Sequence, residues 1–136
     1  MDFKLKDGEK VRTVRCTKAA GVTITPGRLV TLSAGLVIEA VTASATVAFA
    51  PNGAASADLF CDVTVGNDFT LQGSYDSGTF AVADKGAACD ISAAGGAQTI
   101  NPDANTYKVL RIGIAEDAGV VASADDVEVR IILPLF

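Results

Sequence analysis

The 136-residue chain contains no histidine and no tryptophan. Without histidine, neither a Ser–His–Asp nor a Cys–His catalytic arrangement can be built, and no histidine-ligated zinc or iron site is available. The enzyme routes that remain use carboxylate pairs, lysine, tyrosine or a lone cysteine. The composition therefore argues against an enzyme, and we expect no catalytic residues, no metal site and no cofactor.

Cysteine is scarce, and its spacing matches no common motif. Cys16, Cys61 and Cys89 are an odd number of cysteines, and no two of them form a CxxC pair. Such spacing is not typical of a zinc site or of a secreted disulfide framework. We interpret the chain as one made in a reducing cytoplasm with free thiols. Cys61 alternates with Leu59 and Val63, which indicates a small core residue.

Long hydrophobic runs are also missing. The first ten residues, MDFKLKDGEK, contain no apolar stretch of the kind found in a secretory signal. No run elsewhere in the sequence is long enough to cross a bilayer. The sequence therefore predicts neither a secretory signal nor a membrane partner.

Small and β-branched residues are abundant instead: 23 alanines, 15 valines, 13 glycines and 12 threonines. Valine and threonine suit a pleated sheet better than a helix interior, and helical periodicity is almost absent. A chain of this length is close to the usual size of one domain and can bury a core without disulfides. These features predict a single all-β domain.

Alternation and turn signals predict about eight or more short strands. The clearest strand covers 58–65, with Leu59, Cys61 and Val63 on its core face. A Gly-containing loop at 33–35 joins 28–32 and 36–41 in a hairpin. Residues 84–106 are irregular, which indicates either a functional loop or a missed element. Further strands are predicted at 10–17, 22–25, 46–49, 69–72, 79–83, 107–115 and 127–133. The fold class we expect is a small β-barrel or β-sandwich.

Charge is divided unevenly along the chain. Residues 1–18 carry six basic and three acidic residues, a balance of +3, whereas 19–136 carry five basic and thirteen acidic residues, a balance of −8. We interpret 1–18 as an N-terminal arm and 19–136 as the β domain. The arm can add as a strand to the sheet edge of a partner protein. Its candidate partner-binding residues are Phe3, Lys4, Leu5, Lys6, Lys10, Arg12 and Arg15. The acidic domain argues against nucleic-acid binding.

For the other candidate residues, a structural role is better supported than a functional site. The Asn and Asp residues near 67–68, 76 and 101–105 lack the spacing of a calcium loop and are typical of turns. Asp126 and Glu128 fall on one strand face but are typical of solvated acids. Phe60, Phe69, Phe80 and Tyr75 are expected to pack in the core rather than form a stacking platform. The Ala-, Gly- and Ser-rich segments are expected to be loops that pack closely against a neighbouring molecule.

Four stretches resemble capsid decoration, or cement, proteins of tailed bacteriophages: VTITPGRLVTLSAGLVIEAV, SGTFAVADKGAACDISAAGGAQTI, TYKVLRIGIAEDAG and DDVEVRIILPLF, which span 22–136. The resemblance implies a non-catalytic virion protein, made in the host cytoplasm, that stabilises the head from outside. It implies the major capsid protein as partner and a homo-oligomer, with a trimer favoured. An N-terminal arm that docks on the capsid protein also fits this family.

Two alternatives remain open at this point. The first is a non-catalytic, ligand-binding β module, which requires Phe60, Tyr75 and Tyr107 to share one exposed surface. The second is a building block of a virion shell or tail tube. That alternative predicts self-assembly into large particles, whereas a decoration protein stays a small oligomer.

Overall fold

The computed structural model describes residues 3–7, 11–77, 81–93, 96–113 and 127–136, and they are almost entirely β. One short 3-10 turn covers Val82–Asp84. The strands are β1 (Lys4–Asp7), β2 (Thr13–Thr17), β3 (Arg28–Ser33), β4 (Leu36–Glu39), β5 (Ala48–Ala50), β6 (Phe60–Thr64), β7 (Thr70–Gly73), β8 (Ala88–Ser92), β9 (Thr99–Asn101), β10 (Leu110–Ile112) and β11 (Val127–Ile131). The all-β prediction is confirmed. Within these ranges, no helix has the length and apolar character needed to cross a membrane.

The strands form three separate antiparallel sheets. The largest has six strands in the order β1-β7-β11-β10-β8-β9, the second has the order β4-β3-β5, and the third is the pair β2-β6. One parallel bridge, between Tyr75 and Ile100, connects the segment after β7 to β9. In the part of the chain that the structure describes, none of the sheets closes into a barrel.

The three-stranded sheet lies between the other two. Successive side chains of a strand point to opposite faces, and here both faces are apolar. Leu29 and Phe49 pack in the larger core, with the residues of the six-stranded sheet. Val30, Ala48 and Ala50 pack in the smaller core, against the inner face of β6. The β4-β3-β5 sheet is therefore the central layer of the domain.

Alanine fills part of this interior. Ala48, Ala50 and Ala54 are buried in the smaller core. The small side chains of β5 allow a close approach of β6, and the Thr64 hydroxyl bonds both the N–H (3.2 Å) and the carbonyl (3.0 Å) of Phe49. This corrects, for 48–54, the expectation that the Ala-rich segments are surface loops, because Ala48, Ala50 and Ala54 are buried inside the domain.

The hairpin predicted at 28–41 is confirmed, with a shorter turn. Ser33 pairs directly with Leu36, so only Ala34 and Gly35 form the connection. Both have positive φ, 50° and 81°. Two consecutive positive φ angles define the type I′ turn, whose twist matches that of the adjoining strands.

Residues 84–106, which the sequence left irregular, contain β8 and β9. Asp90 in the middle of β8 is buried, and its carboxylate accepts hydrogen bonds from three consecutive backbone N–H groups, those of Thr106 (3.1 Å), Tyr107 (2.8 Å) and Lys108 (2.7 Å). A buried carboxylate is stable only with such compensation. Asp90 therefore fixes the loop that leads into β10.

Two strand predictions were wrong in detail. The segment 22–25 forms only an isolated bridge, between Ile24 and Ala54. At 79–83, the described residues enter the 3-10 turn instead of a strand, and 79–80 lie outside the described ranges. The turn is held by Asp84, whose carboxylate accepts the N–H of Ala81 at 2.9 Å.

Candidate functional site

Those residues predicted to bind a partner that the structure describes lie in, or directly before, two strands of the domain. Lys4, Leu5 and the Lys6 backbone belong to β1, which is an edge strand paired with β7. Lys4 and Leu5 are exposed, as are Arg12, before β2, and Arg15, within β2; Lys10 lies outside the described ranges. A role of 1–18 as an arm toward a partner stays a prediction. Within the domain, these residues contribute to two different sheets.

Phe3 has a different position from its neighbours. Its side chain is fully buried in the larger core, and its backbone N–H donates to the carbonyl of Gly27 at 2.9 Å. The phenyl ring lies where a Cβ on Gly73 would stand, 2.6 Å from the nearest ring carbon. The ring therefore anchors β1 to the domain and is not presented to a partner.

Among the predicted partner-binding residues, Arg15 lies on a surface formed by two paired strands. On the outer face of the β2–β6 pair, Arg15 stands opposite Asp62 and Thr17 stands opposite Phe60. The Arg15 Nε donates to Asp62 Oδ1 at 3.0 Å, and the guanidinium lies 5.9 Å from the centroid of the Phe60 ring. One guanidinium thus contacts both a carboxylate and an aromatic face.

The ion pair perturbs both partners. The hydrogen bond from Arg15 lowers the pKa of the Asp62 carboxyl, and the same bond raises the pKa of Arg15. Because both side chains are exposed, the pair contributes little to folding stability. Its structural effect is to hold the guanidinium beside the Phe60 ring.

Two large apolar side chains complete this surface. Phe60 is 48% exposed and Leu59 is 72% exposed. The sequence placed Leu59 on the core face with Cys61 and Val63; that prediction is confirmed for Cys61 and Val63 and wrong for Leu59. β6 begins at Phe60, so Leu59 precedes the strand, where alternation does not fix its direction. Phe60, expected to pack rather than to form a stacking platform, is exposed beside Arg15 on the face opposite Cys61 and Val63.

The loop before Leu59 is fixed from beneath by Lys18. This lysine is only 3% exposed, and its ammonium donates to the carbonyls of Ala19 (2.9 Å), Val22 and Ser56 (3.4 Å). Its backbone N–H donates to the carbonyl of Leu59 at 2.9 Å. These bonds hold Leu59 in place although its side chain is in solvent.

A cleft of about 330 Å³ opens beside the two apolar residues. Gly53, on its wall, has φ +59°, and a Cβ there would stand 2.2 Å from the Ile24 carbonyl oxygen. Asp58 accepts the N–H of Ala55 at 2.8 Å, which closes the turn along the rim. The cleft is lined by Arg15, Asn52, Gly53, Asp58, Leu59, Phe60 and Asp62. We call these residues the Phe60 surface.

The thiols of Cys61 and Cys89 are expected to react slowly because both side chains are buried. Burial raises the pKa of the Cys61 thiol to about 11 and that of Cys89 to about 12, and both side chains are buried. The thiolate is the reactive form. We therefore predict that the native protein leaves Cys61 and Cys89 unmodified by iodoacetamide at neutral pH, and that denaturant exposes both. Mass spectrometry of the alkylated peptides measures this, and rapid native alkylation of either thiol would contradict it.

The remaining candidate residues do not gather into a second site of this kind. Asn101 accepts the N–H of Asp103 at 3.1 Å, as a turn residue does, and no metal-binding group of His, Cys, Asp or Glu occurs among the described residues. Tyr75 is buried and donates to Asp84 at 2.9 Å, while burial raises its pKa. Phe60, Tyr75 and Tyr107 therefore do not form one exposed surface. Asp126 and Phe80 lie outside the described ranges, and Phe69 is buried as expected.

Comparison of the chain with protein-family models, with curated proteins and with solved structures gave no match.

Proposed function

We propose that the protein is a non-catalytic virion component that binds the outer surface of a phage capsid and stabilises the head. Its partner under this proposal is the major capsid protein, and it acts as a homo-oligomer, with a trimer favoured. The Phe60 surface carries the proposal. The resemblance of 22–136 to capsid decoration proteins gives the class of partner.

The composition of the Phe60 surface supports a protein contact. Leu59 and Phe60 are adjacent, exposed and held by an ordered backbone, and Arg15 stands beside the ring. Aromatic residues and arginine are enriched at the energetic centres of protein interfaces, where apolar side chains insert into pockets of the partner. Two such apolar groups in solvent cost the isolated domain hydration free energy, which a docked partner removes.

The position of β1 adds a second contact of the same kind. Among the strands that the structure describes, β1 is the outermost of the six-stranded sheet and pairs with β7 alone. Its exposed Lys4 and Leu5 flank backbone groups that a partner strand can bond. Weak contacts of this kind, repeated over an icosahedral lattice, give large total stabilisation through avidity.

We predict that the variant Leu59→Ser/Phe60→Ser loses at least about 30-fold in affinity for capsids, since the loss of even one anchor residue costs about 2 kcal/mol. The measurement is co-sedimentation with expanded, DNA-free capsids of the phage whose genome encodes the chain. The matched control is Leu32→Ser/Leu36→Ser, which removes two exposed leucines from the β3–β4 hairpin. We expect this control to bind as the unmodified protein does.

Three results would count against the proposal: no co-sedimentation of the unmodified protein, equal loss in both double variants, or a gene outside any phage or prophage genome. Light scattering of the purified protein distinguishes a decoration protein from a building block of a shell or tail tube. A small oligomer agrees with a decoration protein, and large closed or tubular particles would replace the proposal with that alternative.

A further inference from the structure

The outer face of the six-stranded sheet carries two arginines in direct opposition. Arg111 of β10 pairs with Arg130 of β11, and both are exposed. Their neighbours Leu110 and Ile131 are fully buried on the inner face. Like charges directly opposite each other on a sheet destabilise it. The pairing therefore opposes folding.

The two arginines border a cleft of about 260 Å³. Lys85 lines the same cleft, so three of the five basic residues in 19–136 converge on one place in the acidic part of the chain. The other lining residues are Gly86, Ile112 and Gly113. Arg111 Nη1 donates to the carbonyl of Gly86 at 2.6 Å, which fixes that guanidinium at the cleft wall.

Within the described ranges, neither arginine forms an ion pair with a carboxylate. Glu128 is the acid closest along β11, two residues before Arg130 and on the same face, and it makes no ion pair with Arg130. Both arginines thus border a cleft that offers their guanidinium groups no carboxylate from these parts of the chain.

We propose that this cleft, at Arg111 and Arg130, is a docking site for a carboxylate-bearing segment of a partner protein. A guanidinium binds a carboxylate through two parallel N–H···O bonds, and a carboxylate between two arginines removes their repulsion. The aliphatic stems of the arginines suit an apolar residue next to the acid. The partner that docks at this cleft need not be a capsid protein.

Carboxylates fit this site better than the phosphates of a nucleic acid or a lipid surface do. The cleft is small, and 19–136 carries thirteen acidic residues against five basic ones. A long polyanion needs an extended basic stripe and is repelled by such surroundings. A short acidic segment contacts the cleft alone.

The proposal is tested by titrating the purified protein against a short fluorescent peptide of alternating glutamate and leucine. Binding is measured as the change in fluorescence anisotropy of the peptide. We expect saturable binding that weakens with salt, a loss of about threefold in Arg130→Gln and of about tenfold in Arg111→Gln/Arg130→Gln. Lys108→Gln is the control, because it removes one exposed positive charge outside the cleft and should leave binding unchanged. The corresponding peptide with glutamine in place of glutamate should not bind.

Thermal unfolding of the same variants provides a second readout. Arg130→Gln should unfold at the same or a higher temperature, because it removes repulsion. A lower unfolding temperature would overturn the inference, since it would show that the cations are neutralised within the chain. Failure of the unmodified protein to bind the peptide, or equal or tighter binding to a DNA duplex or to anionic vesicles, would also overturn it.

Discussion

Replacing Phe3 with alanine should lower the free energy of unfolding by about 3–5 kcal/mol, the range typical of a large side chain lost from a packed core. The Phe3 ring is fully buried in the larger core although it lies at the start of the described chain. Its loss leaves a cavity against Gly73 and weakens the attachment of β1. Urea unfolding followed by circular dichroism measures the change.

Leu5→Ala is the matched control for Phe3→Ala. Leu5 belongs to the same strand but is 43% exposed, so we expect a loss below about 1 kcal/mol. Gly73→Ala should also destabilise the domain, because the new Cβ meets the Phe3 ring at 2.6 Å, and this loss should shrink in the Phe3→Ala background. Equal effects of Phe3→Ala and Leu5→Ala would show that β1 is not packed on the domain.

Because Phe3 anchors β1 in the core, a deletion of the N-terminal residues would affect folding as well as binding. Removing 1–18 would remove β1 and β2, and with them an edge strand and the Arg15 side of the Phe60 surface. A loss of capsid binding in that deletion would then mix unfolding with lost contacts. Point substitutions at exposed positions, such as Leu59 and Phe60, separate the two effects.

Strands with regular alternation and glycine turns could be predicted from the sequence. β3 and β4 are joined by a glycine turn, and β11 alternates cleanly, because local sterics and one buried face determine these elements. β8 could not be recognised in the same way. Its centre is a buried aspartate, whose partners are backbone N–H groups 16 to 18 residues away. Only tertiary structure provides those partners.

The residues of the Phe60 surface, too, could be predicted from the sequence only in part. The charge of 1–18 indicated Arg15, and alternation placed Phe60 opposite the core face of its strand, but nothing local indicated that Leu59 would be exposed beside them. Their exposure follows from where β6 begins and from the Lys18 bonds beneath the preceding loop, which join 18 to 56 and 59. Unusually exposed apolar residues can be found only after the core has been assigned.

The two proposed surfaces lie on different outer layers of the domain. The Phe60 surface is formed by the β2–β6 pair and the segment before β6. The arginine cleft belongs to the six-stranded sheet, and β4-β3-β5 lies between the two sheets. A protein that decorates a shell needs contacts both to the shell and to neighbouring copies or chains. Two surfaces of different chemistry on separate layers allow these contacts to be tested independently.

Replacing Gln98 with alanine should cost about 3–5 kcal/mol of folding stability. The Gln98 amide is 1% exposed; its Oε1 accepts the N–H of Leu29 at 2.6 Å, and its Nε2 donates to the carbonyls of Leu29 (2.8 Å) and Ala40 (3.0 Å). Alanine leaves buried backbone groups without these bonds, at about 1–3 kcal/mol for each unsatisfied group. Because Gln98 precedes β9 and Leu29 lies in β3, the amide joins the six-stranded sheet to the central sheet. Thermal and urea unfolding should both report the loss.

Gln98→Glu separates the hydrogen bonds from the volume of the side chain. The carboxylate keeps an acceptor for the Leu29 N–H but faces two carbonyls without a proton to donate, and burial raises the pKa of such a carboxyl. The protonated form is the one the fold accommodates, so the variant should be most stable at acidic pH and lose stability as pH rises through the raised pKa. Asn105→Ala, which removes an exposed amide, should change stability by less than about 0.5 kcal/mol. A Gln98→Glu variant that is as stable as the unmodified protein at neutral pH would contradict the proposed role of this amide.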